Sequence, residues 1–526
     1  MRKHFITALM AASVTMSATA QTASLDFSKV EGHKVTLKYN GVEMRVRAFM
    51  NIVYVQNPSD AKQQTMHIYI PEEYYNNQKK NGYTAETAPI FLYHKIAGYT
   101  PGVASQLDGG PRPAGRPGAA PGDGPGGPQG PGGPQGPMGG PKKAPVKLQN
   151  AELGFPLELN DEYSHPNMPL AALSRGYVVA CPAARGRTDS RGKAPAALVD
   201  LKASVRYLKF NDKLMPGDAN KIITDGTSAG GAMSSLLGAT GNHPDYEPYL
   251  KEIGAAPGTD DIFATQAYCP ITNLEHADMA YEWQFNTVRE SLGHGKPGED
   301  APNVPLTDEQ IRQSNELKAM FPAYVNTLHL TNIRGDELVL DEKGEGTFVG
   351  WLCHFLRESA QDQIKQGKDL SKYDWVEVKN GVVGDINFAK YVQYLGRKKA
   401  PVAFDALDLS AAENNEFGTP EIDNQHFTAW GWKNSKQAGS TMAAENIIRM
   451  MNPMNYIVNP LAKTSPHWRI CHGTKDSDTS MAIPVILGTY LMNNGYDVQI
   501  YLTWDRPHGG DYDTKEQFDW IDSLCK

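Results

Sequence analysis

In the first part of the chain, apolar residues alternate with polar ones over short stretches. A period of two is typical of half-buried strands, and we expect an antiparallel region near the N-terminus. The predicted strands there are residues 34–47, 52–56, 64–70 and 89–94.

Farther along, continuous apolar runs alternate with segments whose apolar residues recur every three or four positions. In one such segment, Leu198, Leu201, Val205 and Leu208 would share one face of a helix. This alternation predicts a mostly parallel sheet covered by helices. The predicted strands are 177–181, 221–224 and 262–269, and the predicted helices are 196–209 and 228–237.

The pattern weakens between residues 270 and 453, where long polar connections separate the predicted helices. We expect an inserted cap domain there, flanked by two pieces of one core, 21–269 and 454–526. The second core piece repeats the strand–helix alternation of the first. The elements predicted after residue 269 are two cap helices (308–320 and 348–366), two core strands (467–472 and 498–504) and one core helix (480–494).

The start of the chain has the three parts of a secretory signal peptide. Arg2-Lys3-His4 is positively charged, residues 5–14 are apolar, and Ala18-Thr19-Ala20 supplies small residues for cleavage. The apolar part is too short to span a bilayer, and no later stretch is apolar enough to do so. We therefore expect residues 1–20 to be removed and the protein to be exported to the periplasm or outside the cell, without a membrane partner.

Glycine and proline dominate residues 109–142, which interrupt the first core piece. Such a segment cannot bury enough apolar surface to offset the entropy that it would lose on ordering. We therefore expect a disordered surface loop at this point of the fold.

The remaining composition is ordinary and narrows the function by exclusion. Of the 526 residues, 40% are hydrophobic, and the formal net charge is −8. This charge gives no basic surface for a nucleic-acid partner. The five cysteines are scattered and lack CxxC spacing, which argues against a disulfide scaffold and against a zinc site. A single disulfide bridge stays open as an alternative.

The segment Gly226-Thr227-Ser228-Ala229-Gly230 fits the Gly-x-Ser-x-Gly pattern of a nucleophile elbow. The motif alone is weak evidence in a chain with 50 glycines, since a tight turn without a catalytic role would look the same. Here a predicted strand precedes the motif and a predicted helix follows it, as the elbow requires. The sequence therefore predicts an α/β-hydrolase fold with an inserted cap, and Ser228 as the nucleophile.

An elbow serine needs an acid and a histidine later in the chain, in that order. His508 lies in the loop after the last predicted strand, where it could accept the proton of Ser228. Asp476 and Asp478 both follow the preceding strand, and their spacing does not choose between them. His472, inside or beside that strand, is expected to be structural.

An oxyanion hole needs two N–H donors. The first is predicted to be the N–H of Ala229, directly after the nucleophile. The second should come from an early strand-to-helix loop, and His94-Lys95-Ile96-Ala97-Gly98-Tyr99 occupies that place. Gly98, or else Ala97, would supply it, because a small residue lets the backbone approach a substrate.

Three further segments are distinctive: Phe404-Asp405-Ala406-Leu407-Asp408-Leu409, Glu413-Asn414-Asn415-Glu416-Phe417-Gly418 and residues 467–522. Together with the elbow they resemble the bacterial tannases, esterases that release gallate from galloyl esters. The resemblance covers most of the chain after the leader and is absent from 109–142. It implies Asp476, rather than Asp478, as the acid of the triad.

The resemblance also implies three residues that grip the galloyl hydroxyls: Lys399, Glu413 and Asp478. Carboxylates can accept hydrogen bonds from phenolic hydroxyls in a dry pocket, and a lysine can pair with a partly ionised phenol. A site built on such bonds rejects analogues that lack the hydroxyls. Lys398 could take the place of Lys399. Without the resemblance, exposed surface charge is the plainer interpretation of both Lys399 and Glu413.

We therefore predict an exported serine esterase that cleaves galloyl and related hydroxy-aromatic esters through an acyl-enzyme, with no metal or organic cofactor. One alternative is a feruloyl or acetyl esterase acting on plant cell-wall polysaccharide. An alternative from another class is an inactive hydrolase fold that serves as a binding module. A peptidase is disfavoured because no propeller-like repeats precede the core.

Overall fold

The computed structural model covers most of the chain between the predicted leader and the C-terminus. The residues that it describes are 23–108, 151–153, 166–292 and 302–526. The predicted signal peptide (1–20) and the segment rich in glycine and proline (109–142) lie outside the described residues, and both stay predictions. Within the described ranges, no helix has both the length and the apolar character that crossing a bilayer requires.

The strands of the described chain, in order, are β1 (Gly32–Tyr39), β2 (Val42–Val53), β3 (Thr65–Pro71), β4 (Pro89–Tyr93), β5 (Ala151–Leu153), β6 (Val178–Pro182), β7 (Asp218–Thr227), β8 (Ala264–Tyr268), β9 (Glu290–Leu292), β10 (Asn303–Pro305), β11 (Val376–Lys379), β12 (Val382–Ile386), β13 (His467–Gly473) and β14 (Asp497–Thr503).

Its helices are α1 (Met168–Arg175), α2 (Ala196–Phe210), α3 (Ala229–Ala239), α4 (Glu247–Glu252), α5 (Leu274–Phe285), α6 (Asp308–Thr327), α7 (Thr347–Lys365), α8 (Phe388–Leu395), α9 (Ala412–Glu416), α10 (Ala429–Lys433), α11 (Glu445–Met450), α12 (Ala482–Asn493) and α13 (Thr514–Cys525).

Ten strands form one sheet in the order β14-β13-β8-β7-β4-β6-β3-β2-β1-β5. The six strands from β14 to β6 pair in parallel. Every residue of β4, β6 and β8 is buried, as expected where helices cover both faces of a parallel sheet. β8 lies beside β13, so the two predicted core pieces share one sheet. This is the predicted α/β-hydrolase fold.

The N-terminal region is antiparallel, as predicted, but the bounds of its strands differ from the prediction. Residues 34–47 do not form one strand, because Asn40 and Gly41 both have positive φ and join β1 to β2. An Asn-Gly pair in a hairpin turn adopts such φ values readily. Of the strand predicted at 52–56, only residues 52 and 53 belong to β2, and Val55 forms an isolated bridge with Ala255.

In the described residues between β8 and β13, the chain contributes helices and two small two-stranded antiparallel sheets outside the large sheet. The predicted helices at 308–320 and 348–366 are present as α6 and α7. This part of the chain contacts the core near β14 and α12. Trp375 stacks on Trp504 with ring centroids 5.2 Å apart, and the Trp351 indole donates to the Thr489 hydroxyl at 2.9 Å. The cap bounds 270–453 stay a prediction.

Candidate active site

Ser228 lies at the junction between β7 and α3 in a strained conformation. Its φ is 62° and its ψ is −122°, a region that residues other than glycine rarely adopt. The Ser228 N–H donates to the Tyr268 carbonyl at the end of β8, at 2.9 Å. The neighbouring strand therefore helps to hold the turn that carries the predicted nucleophile.

Close backbone approach explains why glycines surround this serine. A Cβ atom on Gly226 would lie 2.5 Å from the Gly230 carbonyl oxygen, and one on Gly230 would lie 2.7 Å from the Ile96 carbonyl oxygen. A Cβ on Gly231 would lie 2.5 Å from the Tyr268 carbonyl oxygen. Such contacts cannot form without backbone shifts, so the elbow, β8 and the loop after β4 pack at a distance that only glycine allows.

The structure brings Ser228, His508 and Asp476 into one hydrogen-bonded chain. His508 Nε2 lies 2.8 Å from Ser228 Oγ, and His508 Nδ1 lies 2.7 Å from Asp476 Oδ2. The other Asp476 oxygen accepts the Asp478 N–H at 2.8 Å. Asp476 follows β13 and His508 follows β14, so both come from the carboxyl ends of parallel strands, beside the elbow.

The charges of this pair support each other. Burial favours the neutral form of Asp476, but His508 and His472 outweigh it and hold the pKa of Asp476 well below its usual range. Burial also disfavours a charged His508, yet the Asp476 carboxylate raises the pKa of His508 well above its ordinary value. An imidazolium formed on proton transfer from Ser228 would therefore be stabilised.

The predicted oxyanion donors, Ala229 and Gly98, lie on α3 and on the loop after β4, two segments that pack together where Gly230 approaches Ile96. Ala229 is the first residue of α3, so its N–H has no acceptor within the helix. Gly98 lies in the loop after β4, and its carbonyl accepts from Arg187 Nε at 2.7 Å. Arg187 also donates to Asn415 at 3.2 Å and so ties this loop to α9. Whether the Gly98 N–H meets a substrate stays a prediction.

The three predicted galloyl-binding residues have different neighbours. Lys399 Nζ lies 4.2 Å from the centre of the Phe404 ring. Glu413 is 7% exposed; burial raises its pKa, and the nearby Lys399 charge opposes that rise. Asp478 pairs instead with Lys398, whose Nζ lies 2.9 Å away. The lysine considered as a substitute for Lys399 is therefore the partner of Asp478.

Sequence reasoning missed Tyr281, which joins two of these segments. Its hydroxyl accepts the Lys399 N–H at 3.0 Å and donates to the Ser477 carbonyl at 2.9 Å. Tyr281 lies on α5 and is buried. Nothing in the local sequence distinguishes it from a core tyrosine, since both partners are distant along the chain.

Asp405, in the distinctive segment 404–409, contacts the distinctive segment 413–418. Its buried carboxylate accepts from Asn414 Nδ2 at 2.7 Å and from the Thr428 N–H at 2.9 Å, and it contacts His426 Nδ1 at 2.7 Å. Asn414 is next to Glu413 on α9. The role of Asp405 is therefore to position the helix that carries Glu413.

The chain is similar along nearly its whole length to solved tannase structures. Fusobacterium nucleatum tannase is 42% identical with a TM-score of 0.81, and the match covers 96% of this chain and 100% of that one. Tannin acyl hydrolase from Lactobacillus plantarum is 39% identical with a TM-score of 0.80, covering 95% and 98%. A tannin acyl hydrolase in complex with ethyl gallate is 38% identical with a TM-score of 0.80, also covering 95% and 98%.

Two further matches are shorter. The BD-FAE family model matches residues 158–300. Esterase LipC from Mycobacterium tuberculosis is 38% identical over 58 residues, which span 11% of this chain and only 14% of that esterase. Because the identity to the tannases extends over nearly the whole of both chains, this chain belongs to the bacterial tannase family and is a carboxylic ester hydrolase of the α/β-hydrolase fold.

Proposed function

We propose that this protein is an exported esterase that hydrolyses galloyl esters through a triad of Ser228, His508 and Asp476. The observation that carries the proposal is the unbroken contact from Ser228 Oγ through His508 to Asp476, at 2.8 Å and 2.7 Å. A related tannin acyl hydrolase was solved in complex with ethyl gallate. Membership of the family supports aromatic esters as the substrate class, and we propose the galloyl group as the specific acyl group.

In this mechanism Ser228 Oγ attacks the ester carbonyl while His508 Nε2 takes its proton. The carbonyl oxygen becomes an oxyanion, which the N–H groups of Ala229 and Gly98 would stabilise. The imidazolium then protonates the leaving alcohol, and a galloyl–Ser228 ester remains. Water, deprotonated by His508, attacks that ester and releases gallate with Ser228 restored. Asp476 keeps the Nδ1 proton in place throughout.

Specificity for gallate would come from polar groups opposite the triad. Glu413 is buried, so its carboxyl oxygens could exchange hydrogen bonds with phenolic hydroxyls without competition from bulk water. Lys399 and Asp478 would contact the other hydroxyls. A ferulate ring carries one hydroxyl and one methoxy group where gallate carries three hydroxyls, so it would leave part of this set unpaired. Unpaired buried polar groups are costly, and this cost is the source of discrimination.

Turnover of three esters tests the galloyl assignment. Methyl gallate, methyl ferulate and phenyl acetate are compared by kcat/KM. We expect gallate to be preferred over ferulate by at least about tenfold, which corresponds to about 1.4 kcal/mol. Faster turnover of ferulate would reject the galloyl assignment while leaving the esterase intact. A fluorophosphonate probe tests the nucleophile separately, because Ser228→Ala should abolish labelling of the folded protein.

Variants of the binding residues separate recognition from chemistry. Lys399→Met and Glu413→Gln should each lower kcat/KM for methyl gallate by about 10- to 100-fold, since a hydrogen bond to a charged group contributes about 1.5–3 kcal/mol. Turnover of phenyl acetate should be retained. Lys390→Met is the matched control, because Lys390 pairs with Asp374 at 3.1 Å on the exposed surface of α8. Equal losses on both substrates would contradict a role in gallate recognition.

A further inference from the structure

A compact group of metal-binding side chains lies directly behind the proposed triad. Cys269, His472 and Asp476 each offer one ligand atom, and these three atoms lie within 4.8 Å of one another. Cys269 follows β8, His472 is in β13, and Asp476 follows β13. All three are buried. Ester hydrolysis as described above uses Asp476 but assigns no step to Cys269 or His472.

The buried imidazole of His472 faces the other two members of this group. Only 1% of the residue is exposed, neither ring nitrogen makes a hydrogen bond of normal distance and angle among the described residues, and the ring interacts electrostatically with Asp476 and Cys269. Its Nδ1 lies 3.5 Å from Asp476 Oδ2. Buried polar atoms are nearly always satisfied by well-formed hydrogen bonds, whereas this imidazole has only longer contacts, to a carboxylate and a thiol that are themselves metal-binding groups.

The geometry is close to that of a tetrahedral metal site. Zinc bonds of about 2.0 Å to nitrogen and oxygen place those two atoms roughly 3.3 Å apart, and His472 Nδ1 and Asp476 Oδ2 are already 3.5 Å apart. The Cys269 thiol donates to the Gly509 carbonyl at 3.2 Å and lies 3.6 Å from the Tyr512 hydroxyl. Once the thiol proton is lost, the Tyr512 hydroxyl can donate to the sulfur as an outer partner of the site. Cysteine, histidine and carboxylate together are a ligand set that Zn²⁺ takes.

We propose that Cys269, His472 and Asp476 form an inhibitory binding site for a soft divalent cation such as Zn²⁺ or Cd²⁺. The ion would bind the Cys269 thiolate, a neutral nitrogen of His472 and one Asp476 oxygen. The thiol proton of Cys269 and, where the ring is charged, the extra proton of His472 leave to solvent on binding, and no electron transfer is involved. Water would take the fourth position.

Inhibition follows from the shared carboxylate, and this step rests on the proposed role of the triad. Asp476 Oδ2 is also the oxygen that contacts His508 Nδ1, at 2.7 Å. A cation on this oxygen would weaken the contact and add a fixed positive charge beside the imidazolium that forms in catalysis. Because the ion lies behind the histidine and not in the ester site, it should lower kcat and leave KM nearly unchanged.

Two cysteine-to-serine variants of the full-length protein provide the test. Wild type, Cys269→Ser and Cys353→Ser are titrated with Zn²⁺ while methyl gallate turnover is followed. Cys353 is the matched control because it is also a buried free thiol, on α7. Wild type and Cys353→Ser should lose activity as one ion binds per chain, and a chelator should restore it. Cys269→Ser should need at least about tenfold more Zn²⁺, a loss of about 1.4 kcal/mol in binding.

Binding is also measured without activity, by the near-ultraviolet thiolate-to-cobalt absorption that Co²⁺ produces. This band should form in wild type and Cys353→Ser and be absent from Cys269→Ser. His472→Gln provides a second variant if the serine variant misfolds, and it should weaken Co²⁺ binding while keeping the thiol. Equal Zn²⁺ sensitivity of wild type and Cys269→Ser would overturn the site. A Cys269-dependent cobalt band with unchanged kcat would overturn the inhibitory role and contradict the function of Asp476 in the triad.

Discussion

The substitution Asp476→Asn tests the catalytic relay most directly. The Asp476 carboxylate has two roles in the structure: Oδ1 accepts the Asp478 N–H at 2.8 Å, and Oδ2 contacts His508 Nδ1 at 2.7 Å. An asparagine can keep its oxygen on the Asp478 N–H, but its NH₂ group then faces His508. The imidazole must turn its unprotonated nitrogen toward that group, so its proton moves to Nε2, the atom that should accept the proton of Ser228.

The magnitude follows from the lost charge. At an effective dielectric constant of roughly 20, opposite charges about 2.7–4 Å apart attract each other by about 4–6 kcal/mol. If this attraction acts mainly on the imidazolium-like transition state, kcat should fall by about 10³- to 10⁴-fold. The substrate contacts are untouched, so KM should change little.

The assay is steady-state hydrolysis of methyl gallate and phenyl acetate, and both substrates should lose kcat equally. Asp497→Asn is the matched control, because Asp497 contacts His467 Nδ1 at 2.8 Å but lies on the surface. Exposed pairs of this kind contribute about 0–1 kcal/mol, so this variant should keep nearly full activity. A folded Asp476→Asn protein that loses less than about tenfold in kcat would refute the proposed relay.

Three further outcomes are expected. The pKa of His508 is raised above its ordinary value of 6.5, and only the neutral imidazole can accept the proton of Ser228. A profile of kcat/KM against pH should therefore fall on acidification with a midpoint above 6.5. A midpoint below that value would contradict the electrostatic argument. Gly226→Ala places a methyl group 2.5 Å from a backbone carbonyl oxygen of α3. Chemical denaturation should show a loss of about 1–3 kcal/mol in the free energy of unfolding. Gly350→Ala is the control, because a Cβ at this position of α7 would have no neighbour within 4 Å, and it should be neutral or stabilising. Asp511 and Asp225 are neighbouring buried carboxyls. Asp511 Oδ2 accepts from the Tyr93 hydroxyl at 3.2 Å, but Asp511 Oδ1 and both Asp225 oxygens have no hydrogen bond of normal distance and angle among the described residues. Burial raises the pKa of Asp511 to about 6. A carboxyl whose pKa is raised by folding loses its stabilising contribution as the pH rises toward the raised value. Asp511→Asn supplies an N–H donor at any pH. This variant should therefore have a higher Tm than wild type at about pH 7.5 and lose that gain at about pH 4.5. An equal Tm difference at both pH values would show that the carboxyl pair does not titrate in this way.

The order of the catalytic residues along the chain is predictable from sequence because it depends on local patterns. Ser228 was identified by its glycines and by the change from strand to helix around it. His508 was identified by its position in the loop after the last strand of the core. In parallel α/β folds the carboxyl ends of the strands meet at one edge, so knowing which loop carries a residue also indicates that it faces the same edge as the nucleophile.

Contacts between distant segments were not predictable in this way. Lys398 and Lys399 are adjacent in the sequence, yet one contacts Asp478, 80 positions away, and the backbone of the other contacts Tyr281, 118 positions away. Local pattern alone also could not place Cys269 near His472. CxxC spacing detects only ligands that are close in sequence, and these two residues approach because β8 and β13 are neighbours in the sheet.

Hydrophobic periodicity and glycine placement act over a few residues, so the strand and helix alternation, the elbow and the order serine, acid, histidine are all visible in the sequence. The tertiary structure decided which lysine contacts Asp478, how Tyr281 and Asp405 hold the segments around Glu413, and which buried groups surround Asp476. Those contacts depend on the relative placement of the cap segments and the sheet, which is set by the packing of many distant side chains at once.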